Sequence, residues 1–493
     1  MSKLVFAKDI HDSIEVMGEW AIEDVEHSVF GVLRYEPTKL ANLKVFGMVK
    51  SEAPRIIIGK REGGHCITVF GAVGSHPYGN LFSPETCVTE YGFSSFWEGP
   101  ECFADKSEVK FRQATFGING LEGWYSPMAF NCCNNGTSSE KIRVEYQRPK
   151  TIKIYADENV IIKVGYAVQT SGISIAQSRM EVVQVPRVVV RVKKGKLPFY
   201  DGEKSLESYV RFAHVFLALL IGKDALMYDL LCTSEYLLVK KLRKSKAHKI
   251  KIIHGEKVFQ YRWSRSLPVE VKSDPLSVVV PLTNQSRINR ASKQLANVFF
   301  ADKELFESIV AYTYSWKTFS ETTLPEQVFL FEGLCNRLFL AQCRTEKLNR
   351  YKRSGDWDAI DRIKNLPDIK GSQPLSEIVK RLFLPDPSLK DMLAVAFAQT
   401  TDIFEFLQDE KLVKLIKSYL SDRRNGTAHS GRKANPSVDR DVWCSRFLKM
   451  ESLALILLYC GFSSATLKSY FNRPFTGYTS LKTYLPKVMA KKC

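Results

Sequence analysis

Arg424, Asn425 and His429 stand together late in the chain and combine residue types that can cut RNA without a metal. An imidazole moves a proton near neutral pH, and a guanidinium steadies charge on phosphate oxygens. Together they suit attack by a 2′-hydroxyl on the neighbouring phosphodiester, with Asn425 orienting the histidine or holding the loop backbone. The spacing by itself selects little, because Arg243 and His248 repeat it. That second pair is followed by Lys244 and sits in a long basic run. Context therefore picks out Arg424 and His429.

The context is a junction between two helices. Over 410–424 the residues Leu412, Leu415, Ile416, Tyr419 and Leu420 share one helical face, and Arg423 and Arg424 fall in the last turn. Asn425 and Gly426 predict a stop there, since glycine readily takes the left-handed conformation that ends helices. After a short turn carrying His429, the run Pro436, Ser437, Asp439 and Asp441 opens a new helix with acids at its positive end. That helix has its own stripe in Trp443, Phe447, Met450, Leu453, Ala454 and Leu457. Arg423 is a supporting candidate. So is Glu332, which lies on or beside the stripe Val328, Phe331, Cys335, Leu338 and Phe339, where an unpaired carboxylate is costly. It either pairs with a basic group of the motif or is a partly exposed stripe-edge residue.

Upstream, 14–190 reads as many short strands separated by Gly, Pro, Asn and Ser, for example over 53–59, 66–73, 141–146, 151–155, 160–168 and 182–192. This predicts a β-rich, sandwich-like domain. One helix over 205–221, with Leu206, Tyr209, Val210, Ala213, Phe216, Leu217 and Leu220 as its stripe, is placed within that domain, because strand-like text returns over 249–264 and 276–282. Beyond 300 the apolar spacing is helical almost throughout, 375–384 included, with an exposed polar connection over 344–373 that has room for a short helix. The expected fold class is α+β: a β-rich domain over 1–285, then an all-α bundle over 290–485.

The motif Arg424-Asn425-Gly426-Thr427-Ala428-His429 between two long helices resembles the R-polar-x(3)-H signature of HEPN ribonucleases. Gly18-Glu19-Trp20, Gly31-Val32-Leu33, Ile57-Ile58-Gly59, Ile67-Thr68-Val69 and the stretch 111–124 resemble the N-terminal domain of ApeA-like proteins. The resemblance implies a bacterial antiphage effector of the abortive-infection kind, a toxin that cleaves RNA, transfer RNA among the options, when a phage-derived trigger meets its β-rich sensor domain. It also implies a homodimer through the helical domain, pairing two Arg–His sets. Of the family's residues only Arg424, Asn425 and His429 carry over: His429 for proton transfer, Arg424 for the phosphate, Asn425 as orienter. The alternative class is a non-catalytic RNA- or protein-binding scaffold with a dimerising bundle.

The formal net charge of +18 favours a polyanionic partner, and RNA fits better than a bilayer, since the longest apolar runs, 212–222 and 453–462, are too short to span one. Lys240, Lys241, Arg243, Lys244, Arg432 and Lys433 are the candidates for following an RNA backbone. The run 240–265 holds ten Lys and Arg against the single acid Glu256, yet it also reads as a solvated face, and alternating Phe259, Tyr261 and Trp263 as core packing. Eleven scattered cysteines without a C-x-x-C pair argue against a structural zinc, and neither a P-loop nor a dinucleotide fingerprint occurs, so no metal or cofactor is expected. Residues 1–12 lack an apolar core behind a basic start, so the expected location is the cytoplasm.

Overall fold

The computed structural model describes residues 13–36, 39–47, 49, 51, 53–61, 64–74, 78, 87–125, 130–134, 142–146, 149–170, 182–222, 225–234, 239–241, 250–252, 257–263, 280, 282, 285–314, 323–354, 366, 387–428, 437–473 and 477–490. The chain divides into two units, Met1–His214 with Ala225–Ser273, and Val215–Asp224 with Asp274–Cys493. The first is β-rich and the second helical, an α+β arrangement.

The strands of the first unit form one continuous sheet of fourteen, running from Ile152–Ala156 at one end to Val73–Gly74 at the other, with three further two-stranded ladders. Strand pairs are antiparallel, and alternation decides their faces. In Ile14–Ile22 the residues Val16, Trp20 and Ile22 are buried, while Glu15 and Met17 point outward. Trp20 centres this core and donates its indole N–H to the Gly31 carbonyl at 3.2 Å. A Cβ on Gly59 would lie 2.3 Å from the Trp20 ring, and one on Gly31 would lie 2.7 Å from the Lys44 carbonyl oxygen. The motif glycines are thus the clearance that lets a tryptophan lie across neighbouring strands.

A second aromatic core gathers Trp97, Phe103, Phe111, Phe199 and Phe259, with Trp97 and Phe199 centroids 4.8 Å apart. Phe259 is buried there, Tyr261 packs 4.7 Å from Trp97, and Trp263 stacks on Tyr261 at 5.7 Å. The alternating aromatics of the basic run therefore serve packing.

From Phe212 to Ile221 the helix Leu206–Ile221 is buried on every side rather than along one stripe, whereas its first turns keep Glu207 exposed and Ser208 and Arg211 partly so. Its residues from Val215 onward group with the helical unit, where the Leu220 carbonyl accepts from Val280 N–H at 2.9 Å. The expected placement of this helix wholly within the first domain, and of the boundary near 285, differs accordingly. An apolar surface all round offers no exposed face that would confine the helix to one core.

The helical unit contains Gln285–Ala301, Lys303–Tyr314, Thr323–Leu338, Leu340–Ser354, Leu389–Thr400, Glu410–Ala428, Val438–Tyr459, Ser464–Phe471 and Tyr478–Ala490 among the described residues. Val438–Tyr459 is the central element, buried nearly all round from Phe447 to Leu457, which explains why a single stripe under-describes it. The polar stretch beginning at Arg344 opens on a helix that is largely exposed. Leu340–Ser354 is a helix with Cys343 and Lys347 buried, and Arg350 clamps Asp391 through two bonds of 2.8 and 3.1 Å. Asp391 also closes a capping box with Ser388, so one carboxylate caps Leu389–Thr400 and ties two helices. The helix expected over 375–384 lies outside the described residues.

Candidate active site

Glu410–Ala428 carries the motif. Leu412, Ile416 and Leu420 seat it in the bundle, whereas Leu415, expected on the same face, is 46% exposed. The helix does not stop at Arg424. It runs through Asn425, Gly426 and Thr427 to Ala428, and Gly426 is not left-handed. Glycine inside a helix costs only about 1 kcal/mol against alanine, which an element of this length with three buried anchors tolerates. Arg424 is therefore held on a continuous helix, one turn before Ala428 on the same face, and not on a loop. Asn425 is exposed beside it, a helix residue rather than a turn residue. His429 follows Ala428 directly and lies, with Arg432 and Lys433, outside the described residues.

The basic partner of Glu332 is Arg424. Nε of Arg424 stands 3.4 Å from both carboxylate oxygens, with the arginine side chain 38% exposed and the glutamate 12%. Glu332 comes from Thr323–Leu338, whose Val328, Phe331, Leu334 and Cys335 are buried, so its carboxylate is drawn inward with them. Burial pushes its pKa above the usual carboxylate value, and the Arg424 charge only partly offsets that. The contact is long for a charge-assisted hydrogen bond, which leaves the guanidinium weakly committed.

Arg423 behaves differently. Its guanidinium reaches Asp441 at 2.7 Å, with side chains 15% and 6% exposed, and Tyr419 donates its hydroxyl to the other oxygen of Asp441 at 2.7 Å. Burial and this acceptor raise the Tyr419 pKa. Ser437 caps Val438–Tyr459 by accepting from Arg440 N–H at 3.5 Å, as its position before the two acids suggests. Asp441 is thus more than a dipole-complementing acid. It locks the motif helix to the next one. Sequence reasoning missed this, although an acid just inside an N-cap and a pair of arginines closing the preceding helix were the signals.

A third carboxylate, Glu451, was also missed. It is fully buried, its Oε1 2.6 Å from Thr400 Oγ1, and its pKa is pushed up to about 8 by desolvation. Thr400 donates its hydroxyl to Glu451 Oε1, a neutral partner that only partly offsets the burial holding the carboxyl's pKa up.

Of the other candidates, Lys240 and Lys241 lie in the strand Val239–Lys241 of the first unit, paired in register with Lys251 and Ile250. Arg243 and Lys244, like His248, are outside the described residues. No helix among the described residues is long and apolar enough to cross a membrane.

Residues 15–237 match the family model for ApeA N-terminal domain 1, a span covering most of the β-rich unit and including the helix Leu206–Ile221. No curated protein and no solved structure matches the chain.

Proposed function

We propose that the chain is an antiphage defence protein whose helical unit is a metal-independent endoribonuclease, with Arg424 on the scissile phosphate and His429 transferring the proton. The observation that carries this reading is the placement of Arg424: half-exposed, on a rigid helix, beside His429 in sequence and held loosely by Glu332. A guanidinium in that state is positioned at little entropic cost and can be given up to a phosphate, the stronger bidentate partner. Glu332 is then a positioning residue, and Asn425, exposed on the same turn, the second polar group of the site. The match over 15–237 supports the defence role, and in this reading the β-rich unit senses a phage-derived protein. One Arg and one His make a sparse site, so a homodimer through the helical unit would complete it with a second set.

The test is RNA cleavage by four purified full-length variants. Arg424→Ala and His429→Ala should each abolish cleavage with unchanged thermal melts, whereas Arg243→Ala and His248→Ala should still cut. A selectively inactive His248→Ala protein would move the site to the other pair. Sedimentation of the full chain tests the pairing: a monomer at micromolar concentration that still cleaves would defeat the composite site.

A further inference from the structure

Trp443 and Tyr484, from Val438–Tyr459 and Tyr478–Ala490, stack with ring centroids 5.2 Å apart and planes 20° from parallel. A cation lies over each ring: Arg446 over Trp443 at 4.8 Å and Lys487 over Tyr484 at 5.8 Å. The result is a four-member ladder of cation, ring, ring and cation across two helices. It is open to solvent, since Tyr484 is 50% exposed, Arg446 and Lys487 are exposed and Trp443 is half-buried. Trp97 and Phe199, by contrast, are covered.

The charge around the ladder is uncompensated. Arg446, Lys449 and Lys487 enter no ion pair among the described residues, while Arg446 raises the cost of charging the half-buried Lys449 beside it. Beyond Glu451 the sequence contains no Asp or Glu, only Lys468, Arg473, Lys482, Lys487, Lys491 and Lys492 as charged side chains. Lys468 and Lys482 are drawn to Glu405, leaving the ladder's own cations without an acid. Each ring's outer face lies under its cation, so a base would stack on the Arg446 guanidinium plane or displace Lys487 from Tyr484, with phosphates held by the cations, the two components by which single strands are bound.

The position is equally specific. Trp443 follows Asp441, the residue that clamps Arg423, by two places, and Arg440 binds the Val488 carbonyl at 3.3 Å while lying over the Tyr419 ring. The ladder thus starts two residues beyond the clamp in sequence and about 200° around the helix from Asp441.

We infer that the Arg446–Trp443–Tyr484–Lys487 ladder is a docking surface of the helical unit for a single-stranded RNA segment. The inference rests on the nuclease reading only for what the strand is there for; binding itself can be measured without cleavage. A fluorescent 2′-O-methyl oligonucleotide cannot undergo 2′-hydroxyl attack, so its anisotropy with the full-length protein reads docking alone. Arg446→Gln with Lys487→Gln, both surface changes, should weaken binding at least tenfold and flatten its dependence on salt. Tyr484→Ala should weaken it about tenfold with little change in salt slope, and Tyr484→Phe, which keeps the ring, should bind like the parent. Unchanged affinity in the double glutamine variant overturns the inference, as does equal binding of a duplex of the same length. Preferential, ladder-dependent binding to vesicles of phosphatidylserine would overturn it in favour of a membrane surface. If the ladder variants bind normally while Arg424→Ala abolishes cleavage, the docking surface is wrong and the nuclease stands. If the ladder binds RNA and no variant or parent cleaves any, the reverse holds.

Discussion

Arg423 and Arg424 are neighbours on one helix, each facing a carboxylate from another helix, and the two pairs are built for different purposes. Arg423 and Asp441 are 2.7 Å apart and nearly enclosed, with Tyr419 completing the acceptor. Arg424 and Glu332 are 3.4 Å apart with the arginine substantially exposed. Enclosed and short, the first pair has little freedom to exchange partners and fixes the helix. Long and wet, the second is screened by water and contributes little to stability, but leaves a charged group aimed and exchangeable. A hundred-degree step along a helix suffices to separate a structural arginine from a functional one, and no property of the arginines themselves distinguishes them.

The comparison breaks first at Asp441. Asp441→Ala leaves the Arg423 charge buried without its main partner, and should cost about 3–5 kcal/mol in denaturant unfolding. A variant as stable as the parent would remove the structural half of the contrast. Arg424→Ala should do the opposite, lowering RNA cleavage roughly 10²–10³-fold, the loss typical of one transition-state donor, while the melt stays within a degree or two. Equal losses of stability in the two variants would erase the distinction.

Glu451 sharpens the picture as a carboxyl that is hydrogen-bonded by a hydroxyl rather than paired with a cation. With its pKa raised from 4.5 to about 8, the folded protein keeps a proton that the unfolded chain releases across that window. Stability should therefore fall as pH rises from about 4.5 to 8, and Glu451→Gln should flatten the slope and melt higher than the parent near pH 8. A steeper slope in the variant would mean that the carboxylate is charged and compensated. The smallest effect is expected from Glu332→Gln: cleavage down about tenfold through poorer positioning of Arg424, with stability equal or slightly higher because a buried charge is gone. Loss as deep as that of Arg424→Ala would make Glu332 part of the reaction itself.

Local periodicity made much of the architecture legible. Period-two text over 160–168 and 182–192 became the strands Val160–Thr170 and Val182–Val192, and the three-to-four spacing beyond 300 became the bundle. Spacing also found the motif helix and the stripe bearing Glu332. It failed where tertiary contacts outweigh local propensity. Gly426 reads as a stop and is helical, because buried Leu412, Ile416 and Leu420 hold the helix beyond it. Arg344 onward reads as exposed, yet Arg350 reaches Asp391 from a residue 41 positions away, which no local window contains. The pairing of Trp443 with Tyr484 was hidden for the same reason: Trp443 reads as core within its own helix, and Tyr484 stands 41 positions away on another.

The central claim concerns chemistry at Arg424 and His429, and the products of the reaction report on it directly. A defined single-stranded RNA, incubated with the full-length protein in excess EDTA and in the presence of its activating signal, should yield fragments ending in 2′,3′-cyclic phosphate. His429→Ala protein should yield none. Fragments bearing 5′-phosphate ends, or cyclic ends formed equally well by His429→Ala protein, would contradict the account.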